Sequence, residues 1–126
     1  MTGIFPGTFD FLHPGHLRAL TDARRYCDHL IVALQVDASI RPGKHAPVFT
    51  PSERYIMLMG CKYVDEVIPY GTEEELIQLL HYYAPCRRFV GADWADKEYT
   101  GKGICEDIIL SRGHQWSSSE IRSRLR

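Results

Sequence analysis

Runs of strand length alternate with runs of helical period along nearly the whole chain, and this alternation constrains the fold more than any single residue does. Thr2 to Phe5 is a short apolar run that ends at the turn signal Pro6-Gly7. From Pro14 onward Leu17, Leu20, Ala23 and Cys27 recur at intervals of three and four, which predicts an amphipathic helix. Pro14 suits its first turn, where a missing N–H costs nothing. Leu30 to Val36 is a second strand, and the polar stretch Asp37 to Thr50 is a loop. Thr50-Pro51-Ser52-Glu53 caps a second helix continued by Tyr55 to Cys61, and Val64 to Pro69 is a third strand. Thr72 opens a third helix that ends near Pro85, with Glu73, Glu74 and Glu75 placed to favour its dipole. Arg88 to Val90, ending at Gly91, and Ile104 to Leu110 supply two more strands. Ser117-Ser118-Ser119-Glu120 begins a short last helix through Leu125.

Such alternation implies parallel strands, right-handed crossovers and helices on both faces. The expected class is α/β: a Rossmann-like three-layer sandwich with a five-stranded parallel sheet and helices on both faces. With 126 residues, one domain over 1–126 is expected. Fifteen Lys and Arg against sixteen Asp and Glu leave a net charge of -1, which argues against a positive coat for polymeric nucleic acid or anionic lipid. Cys27, Cys61, Cys86 and Cys105 lie far apart with no C-x-x-C pair, so reduced thiols in a cytoplasmic protein are expected. No leader pattern opens the chain, and Leu30 to Leu34 is far too short to span a membrane.

In a parallel sheet, ligands sit beyond the carboxyl ends of the strands. Just past the first strand stands Gly7-Thr8-Phe9-Asp10, followed by His13-Pro14-Gly15-His16. Gly7 allows a tight turn and close approach of a ligand, and the helix beginning at Pro14 offers N–H groups to an anion. His13 and His16 flank that terminus and can both face a phosphate there. The other readings of H-x-x-H are a metal site, for which no third ligand of suitable spacing is evident, and two incidental surface histidines. Neither a Walker A motif nor G-x-G-x-x-G is present.

Gly7-Thr8-Phe9-Asp10 with His13, Gly15 and His16 resembles the (G)TFD-x-x-H-x-G-H signature of the nucleotidyltransferase superfamily. Within it the chain is most similar to the small cytidylyltransferases typified by glycerol-3-phosphate cytidylyltransferase. The resemblance extends through Tyr63-Val64-Asp65-Glu66-Val67-Ile68-Pro69 and Gly91-Ala92-Asp93-Trp94 to Arg112 and Ser117-Ser118-Ser119. It implies transfer of a nucleotidyl group from a nucleoside triphosphate to a phosphorylated small molecule, with release of pyrophosphate and no covalent enzyme intermediate. His13 and His16 would stabilise the transition state, Thr8 and the adjoining backbone would hold the α-phosphate, and Mg²⁺ would be bound through the triphosphate. Similar enzymes are homodimers.

Further candidates follow from the same resemblance. Lys44, or its neighbours Arg41 and His45, would reach phosphate from the loop after the second strand. Arg54, with Asp10 and Lys44, is a candidate for binding the acceptor; an ordinary surface ion pair is its other reading. Gly91, Asp93 and Trp94 would line the base, although a Trp here also suits covering the core. Gly101-Lys102-Gly103 is read as a loop. Arg112 with Ser117 and Ser118 would cradle the β- and γ-phosphates, the guanidinium fork matching phosphate oxygens. Gly113 and Gln115 depart from the family's R-T-x-G-x-S-T-T element, Lys62 replaces an arginine, and Tyr70 to Leu76 lacks the Trp and Lys expected for glycerol phosphate. The first expectation is therefore CMP transfer from CTP to a phospho-alcohol. The second is an adenylyltransferase acting on heptose 1-phosphate or FMN. The third is a nucleotide sensor without catalysis, against which the intact His13 and His16 speak. A structural interaction domain has no need of two anion-binding helix starts.

Overall fold

The computed structural model describes residues 1–10, 12–36, 47–94 and 96–110. Five strands, β1 (Thr2–Gly7), β2 (His29–Gln35), β3 (Glu66–Tyr70), β4 (Arg87–Gly91) and β5 (Glu106–Leu110), form one sheet of order β3-β2-β1-β4-β5. Every pairing is parallel. Three helices, α1 (Pro14–Arg24), α2 (Pro51–Met59) and α3 (Glu73–Tyr83), connect them. This is the Rossmann-like α/β sandwich that the alternation implies.

The pleat of β2 shows how the layers form, since alternate residues of a strand face opposite sides of the sheet. Leu30, Val32 and Leu34 pack with Leu20 and Ala23 of α1 and Leu58 of α2. Ile31 and Ala33 pack on the other side with Leu76 and Leu80 of α3. A strand buried on both faces is apolar throughout, which is why Leu30 to Leu34 reads as a continuous run. Each fully buried leucine contributes about 1.5–3 kcal/mol relative to exposure.

Several boundaries differ from the expected ones, each for a local reason. β1 continues through Pro6 to Gly7. Proline inside a central strand would remove a ladder bond. Yet β1 pairs with β2 over its whole length and with β4 only at Gly3 and Ile4, so at Pro6 one side of the strand is an edge. β5 starts at Glu106 rather than Ile104, because Gly101 (φ 79°) and Gly103 (φ 85°) carry the chain through a turn in which the Ile104 N–H donates to the Gly101 carbonyl at 3.2 Å. Asp65, just before β3, accepts the Leu30 N–H at 2.8 Å and pairs with Arg24 at the end of α1. One carboxylate thus joins a helix end to the starts of two strands.

The expectation of four reduced thiols requires correction. Cys86 and Cys105 form a disulfide, with Cα atoms 5.3 Å apart, while Cys27 and Cys61 are free. Nineteen residues separate the pair in sequence, but β4 and β5 align Arg87 with Glu106, so the residues just before them are neighbours. Among the described residues no helix is long and apolar enough to cross a membrane.

Candidate active site

Among the described residues all three helices begin with a capping box, and the one on α1 is made of histidines. At α2 and α3 the boxes are Thr50 with Glu53 and Thr72 with Glu75, the usual hydroxyl and carboxylate pairs. At α1 the His13 Nδ1 accepts the Gly15 N–H at 3.0 Å, and the His16 Nδ1 accepts the His13 N–H at 3.3 Å. The rings stack with centroids 3.9 Å apart and an interplanar angle of 27°. A backbone N–H cannot donate to a protonated nitrogen, so each neutral ring carries its proton on Nε2. A threonine cap has no second nitrogen, whereas a histidine cap keeps Nε2–H as a donor. Pro14 has no N–H and Gly15 spends its own on the cap, so neither of those two amides serves an anion here. His13 is buried and His16 half-buried.

The turn before these histidines is held from below. Phe9 adopts φ 50°, a left-handed conformation that costs a residue with a Cβ about 1–2 kcal/mol. Its ring is buried, 5.4 Å from the rings of both Phe5 and His16. A Cβ on Gly7 would stand 2.7 Å from that ring, so Gly7 is required by the packing of Phe9. The Thr8 hydroxyl donates to Gln35 Oε1 at 3.2 Å, at the carboxyl end of β2. Asp10 is buried and accepts the N–H groups of Val48 (2.8 Å) and Phe49 (3.0 Å). Arg54 is 2% exposed and donates to the carbonyls of Thr8, Gln35 and Phe49. Such burial is incompatible with a surface ion pair.

Across the crevice, β1 and β4 separate after Ile4, at the point where the strand order reverses. Gly91 ends β4 there, and a Cβ on it would meet nothing within 4 Å. The packing of the described residues therefore does not demand glycine at this position. A short 3-10 turn, Ala92–Trp94, follows. Trp94 is 48% exposed and, among the described residues, belongs to neither core cluster; the Lys97 ammonium lies 5.7 Å from its ring centroid. The structure thus gathers Gly7, Thr8, Phe9, Asp10, His13, Gly15 and His16 on the turn into α1, with Gly91 and Trp94 at the end of β4. Asp93 is placed by its backbone in the 3-10 turn. Lys44, Arg112, Ser117 and Ser118, with Arg41, His45, Gly113 and Gln115, lie outside the described residues.

Gln35 was not singled out in the sequence; its only signal is a lone polar residue near the end of an apolar strand. The left-handed backbone at Phe9 has no sequence signal, because glycine or asparagine would be the usual occupant. Among the described residues no three His, Cys, Asp or Glu side chains are grouped for a metal ion.

The comparisons with known proteins bear on the family and the fold. Residues 4–124 match the family model described as cytidylyltransferase-like. The bifunctional protein HldE of Campylobacter curvus (strain 525.92) is 38% identical over 106 residues, covering 82% of this chain and 22% of that protein. The bifunctional protein HldE of Helicobacter hepaticus is 37% identical over 117 residues (89% and 24%), and that of Bradyrhizobium sp. (strain ORS 278) is 32% identical over 131 residues (97% and 26%). The chain therefore spans about a quarter of the length of these curated relatives. Among solved structures, the lipopolysaccharide core biosynthesis protein from Thermoplasma volcanium GSS1 superposes with a TM-score of 0.66 at 22% identity, covering 99% of this chain and 85% of that one; the likeness is one of fold. With a signature turn built as described and a family match running nearly end to end, the chain belongs to the cytidylyltransferase-like family of nucleotidyltransferases.

Proposed function

We propose that this domain transfers a nucleotidyl group from a nucleoside triphosphate to a phosphorylated sugar and releases pyrophosphate. The observation that carries the reading is the pair of stacked imidazoles at the start of α1, fixed through Nδ1 by backbone N–H groups on the turn after β1. An oxygen of the acceptor's phosphate attacks the α-phosphorus in line, and the bond to the pyrophosphate oxygen breaks. Negative charge spreads over the α-phosphate oxygens in the transition state, and positioned N–H donors stabilise it without reorganising. Thr8 would join them by turning its hydroxyl from Gln35 to a phosphate oxygen. Mg²⁺ bound through the triphosphate would supply charge neutralisation on its oxygens. Arg112, Ser117, Ser118 and Lys44 complete the proposal as phosphate ligands, and a homodimer as its assembly.

For the nucleotide, the sequence resemblance favours CTP, while the similarity to HldE proteins favours the adenylyl and sugar-phosphate alternative. The HldE proteins are 32–38% identical over 82–97% of this chain, and on that support we take ATP and a sugar phosphate of the heptose 1-phosphate type as the preferred pair. Incubation with Mg²⁺, each nucleoside triphosphate and a panel of sugar phosphates, phospho-alcohols and FMN, with pyrophosphate measured, tests this. Release with ATP and a sugar phosphate is expected. Release only with CTP and a phospho-alcohol would return the assignment to cytidylyl transfer. Nucleotide binding with no turnover for any acceptor would identify a sensor.

A further inference from the structure

The side chain that links the most segments around the signature turn is not on the turn at all. Arg54 lies on α2 and is the largest fully buried side chain of the described residues. Its Nη1 donates to the Thr8 carbonyl at 2.9 Å and to the Gln35 carbonyl at 2.7 Å, and its Nε donates to the Phe49 carbonyl at 3.1 Å. These carbonyls belong to the turn after β1, the end of β2 and the segment leading into α2. Two further bonds close the same circuit. Asp10 holds the Phe49 N–H while Arg54 holds the Phe49 carbonyl, and the Thr8 hydroxyl reaches the Gln35 side chain while Arg54 holds both backbone carbonyls.

We infer that Arg54 is a positioning residue for nucleotidyl transfer, which sets the orientation of the Thr8–Phe9 peptide and does not itself touch the acceptor. The inference rests on the function proposed above and deepens it. In a trans peptide the carbonyl and the N–H point in opposite directions. Holding the Thr8 carbonyl on the guanidinium therefore turns the Phe9 N–H away from α2. If that peptide rotated, a carbonyl oxygen would take the place of an N–H in a turn that has to receive phosphate. Phe9 is the residue with left-handed φ, so this is also where the backbone has most reason to relax. A guanidinium suits the task because its planar fork addresses several carbonyls at fixed angles, whereas an ammonium is a single point.

Arg54→Lys separates this role from the other two that the residue can have. A positioning role predicts a fall in kcat of about 100-fold, the cost of misplacing reacting groups by roughly an ångström, with KM for nucleotide and acceptor within about threefold of the parent. Unchanged kcat with a raised acceptor KM would overturn the inference in favour of direct acceptor binding. Unchanged kinetics in a folded but less stable variant would leave Arg54 merely structural and equally overturn it. Asp10→Asn, which removes one carboxylate oxygen from the same circuit, should give the same split and serves if the lysine variant does not fold; a rise in KM with kcat retained would count against the idea. A readout independent of turnover is the ¹⁵N spectrum. In Arg54→Lys the Phe9 amide should shift while those of β5 stay in place, and an unmoved Phe9 amide would overturn the inference even if the parent proved inactive with every nucleotide. Inactivity of the parent together with a shifted amide would remove the proposed activity and leave the peptide's dependence on Arg54 standing.

Discussion

His13 and His16 each carry a structural and a chemical duty, and the two separate by nitrogen. Nδ1 accepts a backbone N–H and so completes the start of α1, while the proposed chemistry uses Nε2. His13→Ser should therefore keep the cap, with stability within about 0.5 kcal/mol of the parent, because serine is among the best N-caps. Turnover should nevertheless fall by about 10²–10³-fold, the usual result of deleting one transition-state donor. His16→Ala should lower turnover similarly while the circular dichroism of the fold is retained. Near-parental activity of either variant, measured by pyrophosphate release, would remove the assigned role. That His13 and His16 meet at one helix start was legible in the H-x-x-H spacing. That they also form a capping box was not, because histidine is not the residue from which a cap is ordinarily read. Phe9 is the complementary case, since its left-handed backbone is imposed by the surrounding contacts and nothing in the residue type announces it.

Helix starts were the most legible elements, because their signals are local. Thr50-Pro51-x-Glu53 and Thr72-x-x-Glu75 form the boxes that their spacing implies, and α1 starts at Pro14. Strand ends were less legible, because they depend on which neighbour is present. β1 outlasts its proline only because β4 has already turned away, and β5 waits for two left-handed glycines. Asp65 shows how one side chain couples elements: it accepts the Leu30 N–H and pairs with Arg24. Asp65→Ala should cost about 1–3 kcal/mol, chiefly because a partly buried backbone N–H loses its acceptor. Urea unfolding of the variant is the measurement, and a loss under about 0.5 kcal/mol would show that water replaces the carboxylate without penalty. The Cys86–Cys105 bond was illegible for the same reason as the strand ends, since only the β4–β5 register makes neighbours of residues nineteen apart.

Over the whole molecule, the crevice is a consequence of strand order. The chain builds β1, β2 and β3 outward in one direction and then returns to add β4 and β5 on the other side of β1. The two directions part after Ile4, and the signature turn and Gly91 follow at the carboxyl ends of β1 and β4. Gly91 tests whether that opening holds the nucleotide. Among the described residues a Cβ there meets nothing within 4 Å, so Gly91→Val should fold with stability within about 1 kcal/mol of the parent, the strand propensity of valine being favourable. Added nucleotide at a hundredfold excess over its Kd stabilises a folded protein by about 2.7 kcal/mol, and this shift in unfolding midpoint should be seen in the parent and largely lost in the variant. An equal shift in both would move the nucleotide elsewhere. The sequence by itself determined the layer architecture, the helix starts and the signature turn, because periodicity, caps and contiguous motifs are carried by residues near one another in the chain. Only the tertiary structure decided that Cys86 meets Cys105, that Trp94 stands in solvent, that Pro6 lies within a strand and that Arg54 is a buried clasp on Thr8, Gln35 and Phe49. Each of those depends on which distant segments the sheet brings together, and neither local propensity nor spacing encodes that choice.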